Sequence, residues 1–254
     1  MSLTDQPSST AAALADLIRE SGCTVALTGA GISVPSGIPD FRTPGRGLWT
    51  KVDPMKVAHI DAFHRDTRRF WEYYRPRFGM LADKEPNSAH RALAELESRG
   101  LLEAVITQNI DRLHGKAGSR NVIEVHGSIA TSSCTTCGAR FGLDEVEALF
   151  DSDGVATCPG CVGKVKPDVV LFGELLPESA MSRARALCER AELLVCVGSS
   201  LEVYPVAGLP ELTLDAGGRL AIITQGPTPY DGAVALRLNG EVTDELAAVL
   251  AALG

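Results

Sequence analysis

The sequence predicts an α/β fold: a Rossmann-like, mostly parallel sheet with helices on both faces, plus a small zinc-binding domain. Three observations predict it. Short apolar runs alternate with amphipathic helical segments along most of the chain, the pattern of βαβ units. Glycines and polar residues gather just after those runs, where ligands bind in parallel sheets. Two Cys-x-x-Cys pairs interrupt the alternation between residues 128 and 165. The expected division is a large nucleotide-binding domain from 1–42, 87–127 and 168–254. Segments 43–86 and 128–167 would form the small domain.

The elements follow in order. Ser9 or Thr10 is placed to cap a first helix through Ala11–Ile18, stopped by Gly22. Val25–Leu27 reads as a buried strand and runs into Thr28-Gly29-Ala30-Gly31-Ile32-Ser33. Glycines there let backbone N–H groups approach an anion, and a following helix N-terminus adds its positive dipole end. This is not the common dinucleotide fingerprint. The third glycine would fall at Val34, and no acidic residue closes a second strand about 20 residues later. Ile38-Pro39-Asp40-Phe41-Arg42 adds two charges and an aromatic that a simple turn does not need. Residues 43–60 read as a long loop, and Asp61–Phe78 as an aromatic and basic helical face. Pro86-Asn87 opens an amphipathic helix closed by Gly100.

Strand Ala104–Thr107 leads into Gln108-Asn109-Ile110-Asp111, and strand Val122–Val125 into His126-Gly127. Further strands are expected over Asp168–Phe172, Leu193–Val197, Leu220–Thr224 and Val234–Leu238. A helix is expected near Glu178–Arg190, and a last helix is capped by Thr243.

Composition narrows the function. The chain has 254 residues, 45% hydrophobic, enough for one large and one small domain. A net charge of −8 and a pI near 5.2 argue against a broad nucleic-acid or membrane surface. No apolar run reaches the roughly 18 residues of a membrane span, and Met1–Thr10 lacks the basic-then-apolar pattern of a secretion signal. Seven cysteines, four of them in close pairs, point to a reducing compartment and a metal site rather than a disulfide framework. The expectation is a cytoplasmic monomer.

Cys134-x-x-Cys137 and Cys158-x-x-Cys161, 20 residues apart, supply four thiolates for one tetrahedral Zn2+. Four protein ligands leave no open position, so the zinc is expected to be structural. Cys23, Cys188 and Cys196 lie in apolar segments and read as buried and inert. Of five histidines, only His126 directly follows a strand at the expected ligand edge. There it would share a cleft with Asn109 and Asp111, and a neutral imidazole could take a proton from a sugar hydroxyl.

In this order, several motifs together resemble the sirtuin family of NAD-dependent protein lysine deacylases. They are Gly-Ala-Gly-Ile-Ser at 29–33, Gly-Ile-Pro-Asp-Phe-Arg at 37–42, Gln-Asn-Ile-Asp at 108–111 and His-Gly at 126–127. The four cysteines, Lys-Pro-Asp-Val-Val-Leu-Phe-Gly-Glu at 166–174 and Gly-Ser-Ser-Leu at 198–201 complete the set. The resemblance implies that NAD, a co-substrate, lies between a Rossmann-like domain and a zinc domain. It implies His126 as general base, acting on a ribose hydroxyl after nicotinamide has left. The products are deacylated lysine and O-acyl-ADP-ribose.

By the same resemblance, Asn109 and Asp111 serve the nicotinamide and ribose pocket, walled by Ala30, Ile38, Asp40 and Phe41. Arg42, Ser199 and Ser200 hold phosphates and riboses. Gly29, Gly31, Ser33, Gln108, Ile110, Gly198 and Val242 complete the NAD contacts, and Gln225 stands where the family often has asparagine near the adenosine ribose. Val170, Leu171, Phe172, Gly173 and Glu174 match the segment that pairs with a substrate peptide as an added strand. Tyr74 and Arg77 match the Tyr-x-x-Arg acyl pocket of the desuccinylase branch, and their i, i+3 spacing puts both on one helix face. The implied partner is an acylated lysine of a protein. The alternatives are mono-ADP-ribosyl transfer in the same cleft, or a non-enzymatic NAD-sensing zinc scaffold.

Overall fold

The structure, a computed structural model, describes residues 9–40, 45, 47, 50 and 52–254. Phe41 and Arg42 lie outside the described residues. Six strands form one parallel sheet: β1 (Thr24–Thr28), β2 (Ala104–Thr107), β3 (Val122–Glu124), β7 (Leu193–Val197), β8 (Arg219–Ile223) and β9 (Leu236–Leu238). Their spatial order is β3-β2-β1-β7-β8-β9, all neighbours parallel. This is the doubly wound order of nucleotide-binding folds, which reverses direction between β1 and β7.

The sheet is buried on both faces, so its central strands are apolar almost throughout. On one side Ala26 packs with α1 (Ser9–Glu20), α5 (Ser88–Ser98) and α10 (Val242–Leu253). On the other, Val25 and Leu27 pack with α8 (Glu178–Arg190) and α9 (Leu209–Asp215).

A second sheet of three antiparallel strands has the order β5-β4-β6, from β4 (Gly127–Cys134), β5 (Arg140–Gly142) and β6 (Val165–Val169). It covers α3 (Ile60–Arg65) and α4 (Thr67–Ala82), which follow the short α2 (Pro54–Val57). Phe63, Phe70, Trp71 and Phe78 form a third core with Ile129, Val165, Cys134 and Cys158. The Trp71 indole N–H, buried in that core, donates to the Val165 carbonyl at 3.2 Å. Asp66 separates the two helices and caps α4 by accepting from the Arg69 amide at 3.0 Å. Pro76 lies inside α4, which continues through it.

Several expectations need correcting, among them the loop over 43–60, in which residues 54–57 form the helix α2. The strand expected over Asp168–Phe172 is Val165–Val169, because that register puts Val165 opposite Cys134 in the small sheet. Ser9 and Thr10 lie within α1. The last helix has Glu241, not Thr243, at its N-cap position, with no side-chain cap bond, while Glu245 reaches back to accept the Gly240 amide at 2.8 Å. Cys23 is half-buried, although Cys188 and Cys196 are buried as expected.

Candidate active site

The crevice where the strand order reverses is built by close backbone contact. Beyond β1, the Gly29 amide donates to Val197 O at 3.0 Å and the Gly31 amide to Gly198 O at 2.8 Å. A Cβ on Gly29 would lie 2.9 Å from Gly198 O, and one on Gly31 2.8 Å from Gly198 Cα. Gly198 has φ +62°, and a Cβ on it would lie 2.3 Å from the Ile32 amide nitrogen. The glycines therefore let two loops touch. Of the expected anion cradle, the Gly29 and Gly31 amides already have acceptors and are not open to an anion. Ala30–Ser36 forms a 3-10 helix.

Behind this contact lies a buried polar network. Ser33 Oγ donates to Asp111 Oδ2 at 2.7 Å. Asn109 Nδ2 donates to Gly29 O and to Ser33 Oγ, both at 3.1 Å. Asp111 Oδ1 accepts the Leu113 amide at 2.9 Å, which opens the short helix α6 (Leu113–Ala117). Burial raises the Asp111 pKa against the lowering effect of these two donors. Arg112 takes φ +67° between Asp111 and that helix.

Neither His90 nor His114 stood out among the five histidines by position, yet both belong to this network. His90 Nε2 lies 3.4 Å from Ser33 Oγ, and His114 Nε2 2.9 Å from Thr28 Oγ. Their rings are 4.9 Å apart. Ser33 spends its only proton on a carboxylate, so His90 faces it as a donor. Burial pushes the His90 pKa down to about 4 and that of His114 to about 3. His114 lies in α6 rather than in a turn. The available signal was spacing, since His90 falls one turn after the helix cap Asn87 and His114 three residues after Asp111.

His126 lies between β3 and β4. Its Nδ1 is 3.0 Å from the Gln108 carbonyl oxygen. A carbonyl only accepts, so Nδ1 carries the proton and neutral His126 keeps its lone pair on Nε2. Burial lowers its pKa, and the Gln108 contact opposes the shift. The Gln108 side chain reaches across to Ser199 Oγ at 2.9 Å, joining the ends of β2 and β7. Ile38 and Ile110 pack against the third core, and Ala30, Asp40 and Ser200 are half-buried. At the far end, Gln225 donates to Glu241 at 2.9 Å, beside buried Val242.

The expected substrate segment is held on both sides. The Val170 amide donates to His126 O at 2.9 Å. Phe172 donates to Ala58 O and accepts from the Ile60 amide at 2.8 and 2.9 Å, so its main chain is already paired. Tyr74 stacks on Phe70 with ring centroids 4.5 Å apart, and burial raises its pKa. The Arg77 guanidinium lies 3.5 Å over the Tyr73 ring and donates to the Tyr73 carbonyl. Its contacts are thus with Tyr73 rather than Tyr74.

The four thiol sulfurs of Cys134, Cys137, Cys158 and Cys161 lie within 4.8 Å of one another, with pairs at 3.4 and 3.8 Å. Tetrahedral zinc with bonds near 2.3 Å sets its sulfurs about 3.8 Å apart. Amide donors from Cys137 and Thr136 lower the Cys134 pKa, and a bound metal would hold all four sulfurs as thiolates. The donor set fits a closed structural zinc site.

The sequence profile of the Sir2 family matches residues 29–205. An NAD-dependent protein deacetylase of Thermotoga maritima is 44% identical, over 90% of this chain and 92% of its own. This chain belongs to the Sir2 family. An NAD-dependent protein deacylase of Thermococcus kodakarensis is 43% identical to this sirtuin, over 91% and 92% of the two chains. A solved structure of Sir2 with a p53 peptide and NAD+ superposes with a TM-score of 0.88 at 42% identity. That match covers 94% of the sirtuin described here and 96% of the other chain. A Sir2 structure bound to a propionylated peptide superposes with a TM-score of 0.86 at 41% identity, over the same shares.

Proposed function

We propose that this sirtuin removes acyl groups from protein lysines and consumes NAD. NAD, an acyl-lysine protein and one water give nicotinamide, O-acyl-ADP-ribose and the free lysine. The observation that carries this reading is the tautomer of His126. Its Nδ1–H is committed to the Gln108 carbonyl, so Nε2 is the basic nitrogen. Burial keeps that nitrogen unprotonated at neutral pH. A protein that only bound a dinucleotide would need no such base.

NAD supplies an activated ribose when bound. Asn109, Asp111 and Ser33 form the polar wall for the ribose and nicotinamide, and Ser199 and Ser200 meet the phosphates and second ribose. Gln225 and Val242 serve the adenosine end, and zinc holds the small sheet together. The expected action on acyl-lysine peptides follows the relatives, which are named deacetylases and deacylase.

The test is a panel of acyl peptides with and without NAD, read by mass spectrometry. O-acyl-ADP-ribose is expected, and ADP-ribosylated protein as the sole product would overturn the reading. His126→Ala should slow turnover by roughly 100- to 10,000-fold in a folded protein. Near-normal turnover would remove His126 from its role.

We also propose that the acyl pocket accepts succinyl-lysine beside acetyl-lysine, on the i, i+3 placement of Tyr74 and Arg77. The guanidinium would leave the Tyr73 ring to meet the carboxylate with two prongs. Arg77→Met should lower succinyl turnover by about 10- to 100-fold, the loss of one charged hydrogen bond, and should spare acetyl turnover. Equal loss of both, or no succinyl turnover in the wild type, overturns this.

A further inference from the structure

We infer that Lys166 and Glu174 form an internal clamp that positions the peptide-binding segment, with Glu174 acting through Lys166 rather than on the substrate. The inference rests on the deacylase reading. Lys166 lies in β6 and its ammonium has three donors. They reach Glu174 Oε2 at 2.9 Å, Val169 O at 2.8 Å and Pro167 O at 3.1 Å. The ammonium is therefore fully used. The side chains of the pair are only 13% and 26% exposed, so water and salt screen it weakly.

Glu174 closes the other end. The carboxylate oxygen that meets Lys166 also accepts the Leu171 amide at 2.8 Å, and the Glu174 amide donates back to Leu171 O at 3.0 Å. One ion pair thus ties carbonyls at 167 and 169 to the turn at 171–174. Between them lie Val170, bonded to the His126 carbonyl, and Phe172, bonded on both sides to the 58–60 segment. Gly173 takes φ +86°, and a Cβ there would lie 2.8 Å from the His59 ring. The tip of the segment is therefore set by backbone that the clamp fixes. Both contacts fall on Oε2, and Lys166 neutralises the charge that Glu174 would otherwise bring to a peptide.

The experiment measures steady-state kinetics with an acetyl-lysine peptide and NAD varied in turn, for the wild type, Lys166→Met, Glu174→Gln and the double variant. Zinc content and the urea midpoint are recorded for each. Losing a charge-assisted contact that orders a binding segment should raise the peptide KM by about tenfold. The NAD KM and kcat should change by less than about twofold, within a few tenths of a kcal/mol. The double variant should match the singles, because one clamp is removed either way. Lys166→Arg, which keeps the charge, should recover part of the peptide KM.

An unchanged peptide KM in variants that keep zinc and their urea midpoint overturns the inference. So does an equal rise in both KM values, or a double variant whose effect is the product of the singles. If Lys166→Met does not fold, Glu174→Gln alone decides the matter, since it keeps the shape of the side chain and removes its charge. A wild type with no NAD-dependent turnover overturns the deacylase reading instead, and the two failures are distinct.

Discussion

His90 and His114 are held neutral in the interior, and this sets how the protein responds to acid. Both imidazoles titrate at 6.5 when exposed, while burial places them at about 4 and about 3 in the folded chain. As pH falls below 6.5 the unfolded chain takes up two protons that the folded chain refuses. The stability from burying them neutral is therefore complete above that pH and drains away below it. The loss from His90 levels off near pH 4 and that from His114 near pH 3. At about 1.4 kcal/mol per pH unit, pH 5 lies 1.5 units into the window. Each histidine then costs about 2 kcal/mol, and the pair about 4. That is a large share of a stability of roughly 5–15 kcal/mol. Asp111 and Glu124, whose pKa values burial raises, take up protons in the folded state and offset part of it. Zinc release in acid adds to it.

Comparing variants cancels these shared contributions. Urea unfolding of His90→Gln and wild type at pH 7 and pH 5 gives four free energies. The fall between the two pH values should be about 2 kcal/mol smaller in the variant. Falls that agree within about 0.5 kcal/mol would show that His90 does not resist protonation in the fold.

The other predictions address the strand crossover, the zinc and the base. Gly198→Ala should destabilise the protein by at least about 2 kcal/mol in urea, since a left-handed residue with a side chain is costly before any clash is counted. Gly217→Ala is the control, with φ +84° and nothing within 4 Å of its Cβ, and should lose less. Cys158→Ala should abolish the one zinc per chain and melt the core around Trp71, since structural zinc contributes about 10–16 kcal/mol of binding. Full zinc content and an intact near-UV signal in that variant would rule this out. The acid limb of kcat/KM should fall below pH 6.5, because burial lowers the His126 pKa. A limb above 6.5 would mean that another group limits the rate.

Much of the fold was legible because burial on both faces leaves little choice of residue. Ala104–Thr107, Leu193–Val197 and Glu178–Arg190 match their predicted bounds. Val170–Phe172 misled because an apolar run after a proline looks like a strand of the parallel sheet. What decided its structure was the pairing of Val165 with Cys134, a contact between residues distant in sequence. The four thiols were legible from spacing alone, since each Cys-x-x-Cys knuckle is local. The roles of His90 and His114 were not. They follow from which oxygen faces each ring, and Ser33, Thr28 and Asp111 come together only through the sheet order. The same holds for His126, where a main-chain carbonyl chooses the basic nitrogen.

The glycines after β1 serve a different physical end from the one their small size suggested. Small residues after β1 suggested amides free to hold an anion. The structure spends the Gly29 and Gly31 amides on the end of β7 and uses the missing side chains to let the two loops meet. An anion in the crevice must then find donors other than these two amides. Ser199 Oγ accepts from the Gln108 side chain at 2.9 Å and from the Leu201 amide at 3.2 Å. Two accepted bonds fill its lone pairs and leave its own proton to give. The network that fixes Ser199 thereby makes its hydroxyl a donor, the polarity a phosphate requires, at the strand end where ligands of this fold bind.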